Sequence, residues 1–171
     1  MRNFVYLAGA LLIAYFGWQH VPWPRKIDLN ANVINKAFPQ KLVNGVLVED
    51  PQWPANYYVL YFSASWCGPC RQAAPQMIDW YSSHVKEGDV SFVMVSLDES
   101  KDKAVSYIAS TGMPWPFVMA ENLPTSLLSI GGRGIPKVVV TDRWGNVLAT
   151  SESGGRYVGP FEPLKAISKN P

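Results

Sequence analysis

The sequence predicts an α/β domain whose central sheet mixes parallel and antiparallel strands. Tyr57 to Ser63 and Val90 to Leu97 are apolar, β-rich runs without clean alternation, as expected for strands covered on both faces. Between them, apolar residues recur every three or four positions, which predicts a helix. A strand, a helix and a strand form a right-handed βαβ unit with parallel strands. Later in the chain, the short segment 142–146 joins two further strands and requires antiparallel pairing.

Residues 1–21 are typical of a membrane-targeting segment, because residues 4–18 carry no charged side chain. Spanning a bilayer takes about 17 to 25 apolar residues, so the run is marginal unless its flanks, with Trp18 and Trp23, extend it to the headgroups. The run has no good small-x-small cleavage site, which favours an uncleaved signal anchor over a cleaved signal peptide; a buried helix is the third alternative. We therefore expect the membrane as a partner through residues 4–18.

The orientation of this segment stays open, because Arg2 lies on one side of it and Arg25 and Lys26 on the other. A marginal apolar segment ahead of a domain is the usual arrangement for export, and disulfide chemistry suits an oxidising compartment. We expect the domain to be extracytoplasmic, and periplasmic if the organism is bacterial.

The remaining elements follow from local signals. Residues 22–39, which mix Pro, Asn and Lys with short apolar residues, are predicted to be a linker, and residues 40–171 the folded domain. Asn44-Gly45 supplies the two positive φ values of a tight turn, so a hairpin opens the domain. The predicted helices are Pro69 to His84, which stops near Gly88; Lys101 to Ser110, with Ser100 as N-cap and Gly112 as stop; a short helix or turn from Pro124 to Ile130; and Glu162 to Ser168. The remaining strands are Phe117 to Ala120, a sheet extension or edge strand, Lys137 to Thr141 and Val147 to Ser151.

The composition fits a single domain with a short appendage. The chain has 171 residues, of which 48% are hydrophobic, and a net charge of +2. A second full domain does not fit this length. Because the basic residues are scattered from Arg2 to Lys169 and form no run, we expect no nucleic-acid partner.

The chain has two cysteines, Cys67 and Cys70, so no disulfide framework holds the fold together. A bridge between them closes a very small loop and adds little stability, so the pair needs a chemical explanation. It lies in Trp66-Cys67-Gly68-Pro69-Cys70, where the first long strand ends and the first long helix begins. Unpaired N–H groups and the macrodipole at a helix N-terminus favour an anion, so we expect the Cys67 thiol to ionise readily. Gly68 and Pro69 turn the chain into the helix, and Cys70, one turn later, lies within bonding reach.

Two motifs make the sequence similar to the thioredoxin superfamily over about residues 57–151. The first is WCGPCR, followed by Pro75 inside the helix. The second is Arg133-Gly134-Ile135-Pro136 before a strand, which resembles the family's loop with a cis-proline that faces the cysteines. The resemblance implies the thioredoxin fold, three α/β/α layers around a central mixed sheet, here with an N-terminal hairpin and an apolar N-terminal segment. Within the superfamily, LYFSASWCGPCR, VSLDES and Met113-Pro114-Trp115 look most like the tryparedoxin and nucleoredoxin branch.

The sequence departs from the thioredoxin pattern at a buried pair of charges. The family carries a buried Asp six residues before the first cysteine, where this chain has Tyr61, and a buried Lys on the next strand, where it has Met94. Tyr61 also fits the tryparedoxin-like pattern, so we expect a variant mechanism rather than inactivity. A water molecule, Asp98 or Glu99 remains as proton acceptor for Cys70, although loop carboxylates are more often caps or turn residues.

The function implied is reduction of protein or peptide disulfides by thiol-disulfide exchange, with Cys67 as nucleophile and Cys70 as resolving thiol. Trp66, Gly68 and Pro69, together with Ile135 and Pro136, are expected to frame the substrate. Surface packing for Trp66 and a strand-start role for Pro136 are the alternatives. We expect an upstream electron donor and no cofactor beyond the redox-active disulfide of Cys67 and Cys70.

Other uses of a C-x-x-C pair fit less well. Zinc needs a second pair of ligands, and His20 and His84 are isolated, so we expect no metal site. Haem attachment needs a histidine after Cys70, where Arg71 stands, and a peroxidase of this fold needs a proline upstream of Cys67. A membrane-anchored binding or chaperone module with incidental cysteines remains the alternative function.

Overall fold

A seven-stranded mixed sheet forms the centre of the structure, a computed structural model that describes residues 31–37, 39–52, 54–86, 88–130 and 134–168. In the strand order β2-β1-β5-β4-β3-β6-β7, the hairpin β1–β2 lies at one edge of the sheet and the antiparallel pair β6–β7 at the other. The strand bounds are β1 Gln40–Val43, β2 Val46–Glu49, β3 Tyr57–Ser63, β4 Val90–Ser96, β5 Phe117–Met119, β6 Lys137–Asp142 and β7 Val147–Thr150. Two short strands, β8 Glu152–Ser153 and β9 Arg156–Tyr157, pair with each other in a separate hairpin.

Four α-helices lie in the described part of the chain. They are α1 Ala31–Lys36, α2 Gly68–His84, α3 Lys101–Thr111 and α4 Thr125–Leu128. One 3-10 turn, Ala120–Asn122, precedes α4, and a second, Pro163–Ala166, lies near the C-terminal end of the described residues. Ser100 caps α3 by accepting from the Lys103 N–H, and Gly112 ends it in the left-handed conformation. The predicted start and stop signals of α3 are therefore confirmed.

The predicted βαβ unit is confirmed and places β3 in the middle of the sheet. β3 and β4 run parallel from Tyr57 opposite Val90 to Ser63 opposite Ser96. On its other side β3 pairs antiparallel with β6, and β6 pairs antiparallel with β7. Every residue of β3 beyond Tyr57 is buried, because both faces of this strand are covered.

Helices cover both faces of the sheet and give the three predicted layers. On one face, Ala74 and Met77 of α2 and Tyr107 of α3 join a large buried cluster. On the other face, Ile34 of α1 and Leu127 of α4 join a second cluster. Neither face of the apolar strands β3 and β4 can remain in water without a large loss of hydrophobic stabilisation, so the sequence requires this double cover.

Four details differ from the sequence predictions. Helix α1 lies inside the predicted linker 22–39, because Ile34 supplies an apolar contact that the Pro and Asn content conceals. Strand β5 is internal to the sheet, since the hairpin β1–β2 pairs beyond it through Gln40 opposite Phe117. The final helix is the 3-10 turn Pro163–Ala166. The hairpin β8–β9 was not predicted, although Gly154-Gly155 is a turn signal.

The predicted anchor, residues 1–21, lies outside the described residues. Within the described ranges, none of the helices combines the length and the apolar character needed to cross a bilayer.

Candidate active site

Cys67 occupies the N-cap position of α2, directly after the turn that follows β3. Its backbone is extended, with φ −85° and ψ 105°, and its sulfur accepts a hydrogen bond from the Cys70 N–H at 3.1 Å. Pro69 lies in the first turn of the helix, where a missing N–H costs nothing because that group has no helical partner. The free N–H groups and the dipole of a helix N-terminus stabilise negative charge on a sulfur at this position.

Cys67 and Cys70 are joined in a disulfide, with their Cα atoms 5.2 Å apart. Cys67 is 5% exposed and Cys70 is fully buried, so the sulfur of Cys67 is the one nearer solvent. The difference in access suits a nucleophile that meets the partner and a second thiol that acts only within the protein.

Trp66 stands exposed beside the disulfide. Its side chain is 58% exposed, and its Nε1–H donates to the carbonyl of Leu97 at 3.4 Å. This contact holds the indole at the end of β4. Trp66 therefore presents an exposed apolar surface next to Cys67.

The second predicted motif meets the cysteines from a distant part of the chain. The bond between Ile135 and Pro136 is cis, as the resemblance implied. The carbonyl oxygen of Ile135 lies 3.6 Å from Cys67 Sγ, and the Ile135 side chain packs against the two cysteines. In the reduced protein, the Cys67 thiol can donate to this oxygen. Gly68 and Pro69 lie in the same region as the first residues of α2.

Asp98 holds the turn before Cys67 in place. Its carboxylate accepts from the Ser65 N–H at 2.9 Å, from the Ser65 hydroxyl at 2.6 Å and from the Ser96 hydroxyl at 2.9 Å. Arg71 donates to the Ser65 carbonyl at 2.8 Å from the other side. Asp98 is buried and Glu99 is exposed and paired with Lys103. The structure thus gives Asp98 a structural role, the alternative to proton acceptance for a loop carboxylate, although the sequence did not indicate Ser65 as its partner.

The positions of the missing charge pair are filled by uncharged side chains. Tyr61 and Met94 are both fully buried, and the Tyr61 ring meets Trp115 edge-on at 6.0 Å. Burial raises the pKa of Tyr61, an effect that the nearby Ser63 hydroxyl offsets only in part. A phenol with a raised pKa keeps its proton at neutral pH, so Tyr61 cannot replace a carboxylate as proton acceptor for Cys70.

Two clefts of different character lie on either side of Trp66. The first, of about 670 Å³, is mostly apolar and is lined by Phe62, Leu97, Leu128, Ile135 and Lys137, among others. The second, of about 630 Å³, also exposes more apolar than polar surface, but its lining includes four charged side chains, those of Arg71, Glu99, Asp102 and Lys103. Because Ile135 lines the first cleft, that cleft is continuous with the surface beside Cys67.

Lys137 is a buried cation at the apolar cleft that sequence reasoning missed. Its ammonium group donates to the Leu128 carbonyl at 3.0 Å and lies 4.2 Å from the centre of the Phe62 ring. Burial lowers the pKa of Lys137, and the charge of Glu152 acts in the opposite direction. The sequence signal that could have pointed to Lys137 is its position directly after Pro136, in the loop predicted to frame the substrate.

The fold and this site define a class: a cysteine pair at a helix N-terminus, faced by a proline loop, is the arrangement of thiol-disulfide oxidoreductases. The chain belongs to the Thioredoxin-like family, whose sequence pattern matches residues 55–147.

Individual relatives agree with this assignment. Over 114 residues the chain is 34% identical to probable nucleoredoxin 1 of Arabidopsis thaliana, covering 62% of this chain and 19% of that protein. Over 83 residues it is 32% identical to the tryparedoxin of Trypanosoma brucei brucei, covering 47% of this chain and 56% of that protein. The crystal structure of thioredoxin from Wuchereria bancrofti superposes with a TM-score of 0.57 at 28% identity, over 82% of this chain and 96% of that one. The chain thus spans about a fifth of the nucleoredoxin and just over half of the tryparedoxin.

Proposed function

We propose that this protein reduces disulfide bonds in proteins or peptides through Cys67 and Cys70. The observation that carries the proposal is the bonded cysteine pair at the N-terminus of α2, with the Ile135 carbonyl 3.6 Å from the Cys67 sulfur. One reactive sulfur and a surface for a peptide segment therefore lie together. The relatives named nucleoredoxin and tryparedoxin support the same type of activity.

The reaction begins with both cysteines reduced. The Cys67 thiolate attacks one sulfur of the substrate disulfide; a new S–S bond forms, the old one breaks, and the second substrate sulfur leaves as a thiolate that takes a proton from solvent. Cys70 then gives up its proton and attacks Cys67 Sγ. The bond between Cys67 and the substrate breaks, and the first substrate sulfur leaves as a thiolate that takes a proton from solvent. The protein has then given two electrons to the substrate, and a dithiol donor must reduce the Cys67–Cys70 disulfide before the next cycle.

Backbone and side chains each have a part in the first step. The N–H groups at the start of α2 stabilise the Cys67 thiolate, and the Cys70 N–H already lies 3.1 Å from that sulfur. Asp98 and Arg71 hold Ser65 and with it the turn that carries Cys67. Trp66 and Ile135 flank the place where the substrate disulfide must enter.

Reduction is the proposed direction of electron flow in the cell. The Gly68-Pro69 pair between the cysteines resembles that of reducing thioredoxins. Equilibration with glutathione measures the reduction potential, and we expect a value below about −200 mV. A clearly higher value would reverse the proposed direction. The proposal includes an extracytoplasmic, membrane-anchored location, which is supported by the uncharged run 4–18 alone.

Two cysteine variants test the activity. Cys67→Ser should abolish reduction of insulin disulfides, because no other sulfur takes the N-cap position. Cys70→Ser keeps the nucleophile and should accumulate a mixed disulfide with the substrate, visible on a non-reducing gel and removed by dithiothreitol. If the wild type does not reduce insulin, and Cys67→Ser suppresses the aggregation of an unfolded protein as well as the wild type does, the binding or chaperone module is favoured instead.

A further inference from the structure

The hairpin β8–β9 reaches the substrate side of the active site through one hydrogen bond. The Tyr157 hydroxyl donates to the carbonyl oxygen of Pro136 at 2.7 Å. The Tyr157 side chain is 56% exposed, so ring packing alone does not place this hydroxyl. Partial burial raises the pKa of Tyr157, and the phenol therefore remains a proton donor at neutral pH.

The base of the hairpin is anchored on the start of β6. The Ser151 hydroxyl accepts from the Val138 N–H at 2.8 Å, and the Ser151 N–H donates to the Val138 carbonyl at 3.0 Å. The Val158 N–H donates to the Ser151 carbonyl at 2.9 Å. Two hydrogen-bonded contacts therefore hold the chain just after Ile135. Tyr157 bonds to Pro136, and Ser151 bonds to Val138.

A fixed Pro136 carbonyl constrains the Ile135 carbonyl, because a single soft torsion separates them. The peptide group between the two residues is planar, and the proline ring locks φ of Pro136 near about −65°. Only ψ of Pro136 remains to rotate one carbonyl relative to the other. The hydrogen bond from Tyr157 therefore restricts the orientation of the Ile135 carbonyl, whose oxygen lies 3.6 Å from Cys67 Sγ.

We propose that Tyr157 is a positioning residue whose hydroxyl fixes the Ile135 backbone, so that an extended peptide segment docks with its disulfide against Cys67. The inference rests on the proposed function and adds a preference to it. A substrate with a peptide backbone can form hydrogen bonds to the backbone of Ile135 as it docks. A small disulfide without a peptide backbone reaches Cys67 with no such contact. Tyr157 thereby raises the rate for peptide disulfides selectively.

The test compares two substrates with Tyr157→Phe, which removes only the hydroxyl from a ring that is more than half exposed. The full-length reduced protein is mixed with a disulfide-linked peptide dimer or with hydroxyethyl disulfide, and the released thiol is measured. One hydrogen bond of ordinary strength corresponds to about a three- to tenfold change in rate. We expect that loss for the peptide dimer and no change for hydroxyethyl disulfide.

Tyr81→Phe is the matched control, since Tyr81 lies near the C-terminal end of α2 and packs against Phe92 and Trp115. For this variant, the rate with the peptide dimer divided by the rate with hydroxyethyl disulfide should equal the wild-type ratio. Ser151→Ala, which loosens the hairpin from its base, should lower the ratio in the same direction as Tyr157→Phe.

Each other outcome has a defined meaning. An unchanged ratio in Tyr157→Phe overturns the positioning role. An equal fall in both rates also overturns it, because Tyr157 would then act on Cys67 or on folding. If the wild type reduces neither disulfide, the proposed function itself fails, and this result is distinct from an unchanged ratio in an active enzyme.

Discussion

Residues 65–70 and residues 134–136 approach the same sulfur atom, but the contacts that hold the two loops differ. The first loop is held by the buried Asp98 carboxylate, which follows the neighbouring strand β4, and by Arg71 of its own helix. The second is held by the Tyr157 hydroxyl, which donates to the Pro136 carbonyl, and indirectly by the Ser151 hydroxyl, which accepts from Val138 at the start of β6. The first loop controls the reactive sulfur and the second the surface beside it. Sulfur chemistry and substrate docking are therefore supported by separate parts of the fold.

The largest effect is expected at the first loop. Replacing Asp98 by Ala removes the acceptor of the Ser65 N–H, the Ser65 hydroxyl and the Ser96 hydroxyl in a buried site. We expect a loss of about 3 kcal/mol in the free energy of unfolding, and about half of that for Asp98→Asn, which keeps one acceptor oxygen. Urea unfolding of the oxidised protein measures both. Glu99→Ala, at the exposed neighbour, is the control, and a loss below about 1 kcal/mol for Asp98→Ala would contradict this role.

The second loop should respond more weakly. Ser151→Ala leaves the Val138 N–H without its hydroxyl acceptor in a fully buried position. We expect a loss of about 1 to 2 kcal/mol in unfolding free energy and an unchanged rate of Cys67 alkylation in the reduced protein. Ser153→Ala, on the exposed part of the hairpin, should change neither quantity. If Cys67 is alkylated more slowly in Ser151→Ala, the contacts that hold the two loops are coupled, and the claim that separate parts of the fold hold them is wrong.

Alkaline pH tests the tyrosines near the two loops, of which Tyr61 is the most deeply buried. Burial raises the pKa of Tyr61, Tyr107 and Tyr157 above the ordinary tyrosine value of 10.0. The folded protein therefore loses these protons at a higher pH than the unfolded chain does. The contribution of the three tyrosines to the free energy of unfolding is fully present below pH 10 and is lost as the pH rises above 10 toward their folded-state pKa values. Tyr61 should account for about 1 kcal/mol by pH 11. Urea midpoints from pH 7 to 11 should fall less steeply in Tyr61→Phe; parallel curves would contradict the assignment.

The smallest effect is expected for Arg71→Met. Arg71 is exposed, and its bond to the Ser65 carbonyl adds to an anchor that Asp98 already supplies. We expect a change within about 0.5 kcal/mol in unfolding free energy and a near-normal rate of insulin reduction. A loss as large as that of Asp98→Ala would mean that the two side chains act as one support.

The sequence was most informative where neighbouring residues form the structure. The positions of Cys67, Pro69 and Cys70 at a helix start follow from strand, turn and helix signals within one stretch, and the structure has them there. The same holds for α3, with Ser100 and Gly112 at its ends. The hairpin β8–β9 could be found only from Gly154-Gly155, because strands of two residues leave no period to detect.

The location of α1 and the roles of Asp98, Lys137 and Tyr157 could not be predicted in this way. Each depends on a partner outside its own helix, strand or loop, and the local pattern of a polar residue is the same whether its side chain meets solvent or a buried acceptor. Asp98 was weighed as a proton acceptor, but its bonds to Ser65 form only when β3 and β4 lie side by side.

By itself, the sequence determined the α/β class, the parallel β3–β4 unit and the reactive pair Cys67 and Cys70, because short-range periodicity and turn chemistry specify these features. Tertiary structure alone decided that Ile135, 68 residues from Cys67, places its carbonyl beside that sulfur, and that Tyr157 holds the adjoining Pro136. The physical reason is that such contacts depend on strand order and register, which follow from packing the whole sheet at once and not from any single segment.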